Sequence, residues 1–163
     1  MRTLPLLAFI LVLWDAVAAQ EQAQPKPKLS FGFVSIIVAD LDKSLDWYTK
    51  VLGFAVKNRI ENEARGFKIA NLRRTEYALE LIELKKAVAL NKALPNFNPK
   101  TRIQGFFKVG FQVSHFDQWL QHLRYHKVSF YGKVVTDPIT QRRMVIVTDP
   151  DNNRVQFFET SKG

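Results

Sequence analysis

The chain has 163 residues, is 47% hydrophobic and carries a formal net charge of +9 at pH 7. That length and apolar fraction suffice for one compact domain with its own core, and exclude a chain too poor in apolar surface to fold. It contains no cysteine, which excludes structural disulfides, a lipid-modified N-terminal cysteine and thiol nucleophiles.

Arg2 gives the chain a short positive start, residues 4–14 are nearly unbroken apolar, and Ala16-Val17-Ala18-Ala19 is a run of small residues. This is the three-part pattern of a cleavable signal peptide over residues 1–19. The apolar run is too short for a comfortable membrane span. The expectation is an exported protein, periplasmic or secreted, with no membrane segment after cleavage. Residues 20–28 are polar, contain Pro25 and Pro27, and read as a tether to a single domain over residues 29–163. Without disulfides that domain must be stabilised by its core alone. Loss of Arg2 with Asp15 leaves the net charge unchanged. The cations, Lys57, Arg59, Arg73, Arg74, Lys85, Lys86, Arg142 and Arg143 among them, are scattered and form no stripe on a helix. They read as a basic surface, and no nucleic-acid partner is expected.

Residues 32–39 alternate, with Val34, Ile36 and Val38 on one side and Phe33, Ser35 and Ile37 on the other, which predicts a strand. Asp40 can cap a helix on which Leu41, Leu45, Tyr48 and Leu52 recur at helical spacing, and Gly53 ends it. Three extended runs follow, near residues 54–61, 67–72 and 77–84. Residues 86–104, with Pro95 and Pro99, read as a linker. Residues 108–113 predict a strand, and Ser114 or His115 opens a helix bearing Phe116, Leu120 and Leu123 on one face. Residues 128–135, 143–147 and 154–159 predict three more strands, the last two joined by an Asp149-Pro150-Asp151-Asn152-Asn153 turn.

The second half repeats the first. At an offset of 75, Phe31 falls on Phe106, Val34 on Val109, Val38 on Val113, Asp42 on Asp117 and Leu45 on Leu120; at 76, residues 78–83 fall on 154–159. A repeat of this kind means two copies of one supersecondary unit. The predicted fold is α+β: two βαβββ modules, residues 29–85 and 105–160, forming a curved, cup-like mixed sheet with helices on the outer face. Strand alternation turns Val34, Ile36, Val38, Val109, Phe111 and Val113 toward the helices. The opposite face then carries Phe33, Ser35, Ile37 and Glu80 from one half, and Lys108, Gln112, Arg154, Gln156 and Phe158 from the other. A concave face of mixed polar and aromatic character is a ligand cup.

Residues 38–54, Val-Ala-Asp-Leu-Asp-Lys-Ser-Leu-Asp-Trp-Tyr-Thr-Lys-Val-Leu-Gly-Phe, resemble the opening signature of the vicinal oxygen chelate superfamily, the glyoxalase, bleomycin-resistance and extradiol-dioxygenase group. Asp149-Pro150-Asp151-Asn152-Asn153-Arg154-Val155-Gln156 resembles its closing signature. The resemblance covers residues 29–159 and includes the paired βαβββ layout. It implies a divalent metal held by one ligand from the first and one from the last strand of each module. Carried onto this chain, those positions are Phe33, Glu80, Lys108 and Gln156. Glu80 is a good ligand and Gln156 a weak one. Phe33 cannot coordinate, and Lys108 could do so only as a neutral amine, which its high intrinsic pKa opposes. A catalytic divalent site normally has at least about three protein ligands, so no cofactor is expected. Lys108 instead places an ammonium where the metal would sit, with Glu80 able to neutralise it if the positions converge.

His122 and His126 have the spacing of a helical metal pair but lack the glutamate of the metalloprotease motif, and read as the exposed flank of the second helix. Asp149, Asp151 and Asn153 match the start of a calcium loop whose glycine and final glutamate are absent, and read as a hairpin turn. The expected protein is therefore an exported, homodimeric superfamily member that binds a small anionic or aromatic organic molecule in the cup without the usual metal. Its modules can pair within the chain or across the dimer. The alternative is a glyoxalase-like isomerase or lyase with Glu80 as general base. A basic nucleic-acid-binding module is the remote third reading.

Overall fold

The computed structural model describes residues 30–96, 98 and 104–160. The expected signal peptide and tether, residues 1–28, lie outside the described residues. Strand β1 (Val34–Val38) leads into helix α1 (Leu41–Lys50), followed by β2 (Ala55–Asn62), β3 (Phe67–Arg74) and β4 (Tyr77–Leu84). A single helical turn, α2 (Leu90–Ala93), lies in the linker. The second half runs β5 (Val109–Val113), α3 (Phe116–Tyr125), β6 (Ser129–Phe130), β7 (Val135–Thr136), β8 (Arg143–Thr148) and β9 (Arg154–Glu159).

The chain builds two mixed sheets. One has the order β1-β4-β3-β2, the other β5-β9-β8-β6 with β7 also on β8. In each, the first strand lies parallel to the last and the remaining pairs are antiparallel. Val34 pairs with Leu79 and Ser35 with Glu80; Val109 pairs with Val155 and Gly110 with Gln156. The two registers are those the repeat predicts. The second half departs from the first at residues 128–135, where one strand was expected. Gly132 stands at φ +104 between two short strands that still both pair with β8. A backbone in that region leaves the ladder, and glycine permits it.

Helix α1 starts where Asp40 accepts from the Lys43 amide (3.0 Å), and the Leu41 amide donates to Glu83 at the end of β4 (2.7 Å). It stops at Gly53, whose φ of +67 takes the chain out of the helix. Leu41 and Tyr48 face inward from α1, as do Phe116, Leu120 and Leu123 from α3. They join Leu72, Leu81, Val145, Val147 and Phe157 in one apolar core spanning both halves. Each fully buried leucine stabilises the fold by about 1.5–3 kcal/mol. The halves meet at rings: Phe111 of β5 lies edge-on to Phe54 (6.3 Å) and to Tyr77 (5.7 Å). They also meet at hydrogen bonds, from the Tyr48 hydroxyl to Asp149, from the Ala39 amide to Asp151, and between His122 Nε2 and the Val51 carbonyl. Among the described residues no helix is long and apolar enough to cross a membrane.

Candidate functional site

The helix-covered faces share the core, so the opposite faces of the two sheets are the open ones. On β1 the burial alternates, leaving Ser35 and Ile37 exposed between half-buried Val34 and Ile36. Phe33 is 60% and Ile37 55% exposed. The parallel register sets Ser35 beside Glu80, and the Ser35 hydroxyl donates to Glu80 Oε1 at 2.9 Å. Phe33, Ser35, Ile37 and Glu80 thus form a patch in which one oriented carboxylate stands among exposed apolar side chains.

The equivalent patch in the second half is built differently. Gly110 replaces Ser35, and the ring of Phe158 leans toward it, 3.4 Å from where a Cβ would stand. Gln156, beside Gly110 in register, is only 1% exposed. Its amide nitrogen donates to the Met144 sulfur (2.9 Å), a weak acceptor, and its Oε1 has no partner among the described residues. The sequence places Gln156 on an open face; the structure buries it there, because a neighbour without a side chain lets larger ones close over it. Gln112, on the same face, is exposed.

Arg154 is held by two aromatics that the sequence reading passed over. Its guanidinium lies 4.5 Å from the Phe107 ring and 4.3 Å from the Tyr131 ring, and Nη2 donates to the Tyr131 hydroxyl (3.0 Å). Stacking of this kind holds an arginine flat while leaving it charged. Lys108 Nζ lies 5.5 Å from the same Phe107 ring. The adjacent Phe106-Phe107 pair before Lys108 was the available sequence signal.

The structure therefore brings Ser35 to Glu80, Gly110 and Phe158 to Gln156, and Lys108 and Arg154 to Phe107. Within one chain no ion pair joins Glu80 to Lys108 among the described residues. The donor set at Phe33, Glu80, Lys108 and Gln156 does not fit a divalent metal. One position is a hydrocarbon and one an ammonium, which leaves only the Glu80 carboxylate and the weakly donating Gln156 Oε1. No group of three or more His, Asp or Glu side chains able to hold a metal occurs among the described residues.

The histidines correct another expectation. His122 is half-buried, its Nε2 is 2.8 Å from the Val51 carbonyl, and its ring meets that of His126 edge-on at 4.5 Å. It fastens one half to the other and is not an exposed flank. The Asp149–Asn153 segment is the expected turn, closed by the Asp149 amide to the Asn153 carbonyl (3.0 Å).

Comparison with known proteins agrees with this architecture. Residues 30–157 match the model of the Glyoxalase/Bleomycin resistance protein/Dioxygenase superfamily. The chain is similar to the protein YwkD of Bacillus subtilis, 27% identical over 131 residues that cover 80% of this chain and 96% of that one. Its fold is similar to that of a glyoxalase family protein from Enterococcus faecalis (TM-score 0.69, 18% identity, 80% of this chain and 97% of the other). It is also similar to the fosfomycin resistance protein FosX of Listeria monocytogenes, solved with Mn(II) and sulfate (TM-score 0.60, 12% identity, 82% and 93%). With two βαβββ modules in repeat register and a family match running nearly the length of the described fold, this chain belongs to the glyoxalase/bleomycin resistance protein/dioxygenase superfamily.

Proposed function

We propose that the protein binds a small organic molecule, anionic or aromatic, on its open sheet faces and does so without the usual divalent metal. The observation that carries this reading is the donor set, in which Phe33 and Lys108 stand where coordinating side chains are expected. The Lys108 ammonium supplies positive charge toward a ligand oxyanion, and the stacked Arg154 guanidinium adds to it. Exposed Phe33 and Ile37 offer an apolar wall. A second copy of the chain can place the Glu80 patch of one protomer against the Lys108 patch of the other, so the reading includes a homodimer. The sequence pattern of residues 1–19 adds export to it.

A second reading has one observation in its favour. The Ser35 hydroxyl orients Glu80 through Oε1, and Oε2 has no partner among the described residues. A carboxylate held in this way suits a general base in a glyoxalase-like isomerase or lyase.

The test is metal addition to two proteins. Across the proposed homodimer, the Phe33→His, Lys108→His variant combines His and Glu of one protomer with His and Gln of the other, a set able to hold a divalent ion. Its melting temperature is expected to rise with zinc or manganese, because a ligand bound only by the folded state stabilises it. The wild type is expected not to respond. One metal per wild-type chain in elemental analysis, lost in Glu80→Gln, would overturn the metal-free reading and favour the enzyme.

A further inference from the structure

The junction of the two halves holds a second candidate site, apart from the patches of Ser35, Glu80 and Gln156. A cleft of about 340 Å³ opens where the end of α1 and the β3–β4 turn meet the start of α3; Arg74, Ser114, His115, Gln118 and Trp119 line it. It runs on into a hollow of about 220 Å³ that shares Arg74, Ser114 and Trp119 and adds the rings of Tyr77 and Phe111. No carboxylate lines either space among the described residues. One end is cationic and polar, the other aromatic.

Arg74 is held in place before any ligand arrives. Its side chain passes over Gly53, with the guanidinium carbon 3.7 Å from where a Cβ would stand. Nη1 donates to the Leu52 carbonyl, and the guanidinium lies 5.4 Å from the Trp119 ring. Trp119 is itself stacked on Phe157 at 5.2 Å, so the platform under the arginine belongs to the core. The other N–H groups of Arg74 have no protein partner among the described residues, and neither do the Ser114 hydroxyl and the side-chain amide of Gln118. Lys50 reaches the same cleft, but its ammonium is bound by Asp46 at 2.5 Å.

We propose that this cleft binds a small aromatic carboxylate. The planar fork of Arg74 matches a carboxylate, with Ser114 and Gln118 as further donors, and the ring of the ligand enters the hollow walled by Tyr77 and Phe111. One unpaired guanidinium suits a singly charged anion better than a phosphate dianion. Fixing the arginine in advance removes the entropy cost of ordering it on binding. The site uses neither Glu80 nor Lys108, and of the residues on the open sheet faces it shares Gln112, which lines the hollow.

Phenylacetate and the neutral phenylacetamide test the assignment, followed by NMR on the full-length mature protein. Phenylacetate is expected to shift the Arg74 Nε signal and the amides of residues 114–119, while those of Ser35 and Glu80 stay in place. Phenylacetamide is expected to bind at least about tenfold more weakly. Gln118→Glu sets a carboxylate into the cleft at an exposed helix position and is expected to weaken phenylacetate binding about tenfold with no change in melting temperature. Arg74→Gln should weaken it as much. Equal binding of acid and amide, shifts confined to the Ser35 or Gln156 face, an unchanged affinity in Gln118→Glu, or no shift at millimolar phenylacetate would each overturn the proposal.

Discussion

The Tyr48 hydroxyl donates to Asp149 Oδ2 at 2.9 Å, joining a helix of the first half to a turn of the second across 101 residues of chain. Tyr48 is 2% and Asp149 4% exposed. The other donors to this carboxylate come from its own turn: the amides of Asp151 and Asn153 to Oδ1 and the Asn153 side chain to Oδ2. Neighbouring Asp151 accepts from the Ala39 amide and, at 3.4 Å, from the Ser44 hydroxyl. The Asp-Pro-Asp-Asn-Asn signature is therefore a clasp. Its first aspartate shapes the turn and binds α1, and its second binds the residues at the start of α1.

Removing either end of this clasp has unequal consequences. Tyr48→Phe keeps the ring in the core and leaves Asp149 with its three turn donors, so it should cost only about 1 kcal/mol. Asp149→Ala strands a buried hydroxyl and two turn amides, and should cost about 3–5 kcal/mol. Urea unfolding of the two variants checks the order. Equal losses would mean that the turn is held by something other than this carboxylate.

Tyr48 also sets an alkaline limit. Burial, and then the charge of Asp149, push its phenol well above the ordinary tyrosine range. The unfolded chain releases this proton near pH 10, while the folded chain keeps it. The stabilisation is complete below about pH 10 and is lost as the pH rises beyond that. Stability measured from pH 8 to 11 should fall at the alkaline end in the wild type, and fall less in Tyr48→Phe.

Glu83 sets an acid limit by the opposite sign. The Lys68 ammonium at 2.8 Å, and then the Leu41 amide, hold its carboxyl below the usual glutamate range. Its contribution is present above about pH 4.3, the unfolded value, and disappears as the pH falls through the lower folded one. Glu83→Gln should be less stable than the wild type at neutral pH, and the difference should close on acidification below about pH 4. A constant difference across that range would remove Glu83 from the acid response.

The fold was legible because two signals agreed. Alternation assigned faces to the strands, and the repeat aligned Ser35 with Gly110 and Glu80 with Gln156, the pairs found in the sheets. The limits of β4 and β9 match the predicted runs for the same reason. What the sequence hid depends on packing across the chain. The break at Gly132 follows from a backbone angle, and glycine in a strand pattern does not announce which angle it takes. The role of His122 needed knowledge of the Val51 carbonyl opposite it. Of the candidate site, the positions of Phe33, Ser35 and Glu80 could be read from alternation. The stacking of Arg154 between Phe107 and Tyr131 could not, because those rings come from a loop and from the residue after β6.

Gln156 is buried at a cost to the fold. Its Oε1 is buried without a partner among the described residues, and its nitrogen spends its bond on sulfur. Burying an amide on such terms costs about 1–3 kcal/mol relative to an apolar side chain of similar size. Gln156→Leu should therefore raise stability by about 1 kcal/mol in the ligand-free protein, despite a small change in shape. If the buried amide serves the open face, the same variant should bind that face's ligand more weakly, a trade of function for stability. Thermal melts in the absence of ligand check the first half. A Gln156→Leu protein less stable than the wild type would mean that the Oε1 is satisfied in solution, and that Gln156 holds the second sheet together and is not kept for the site.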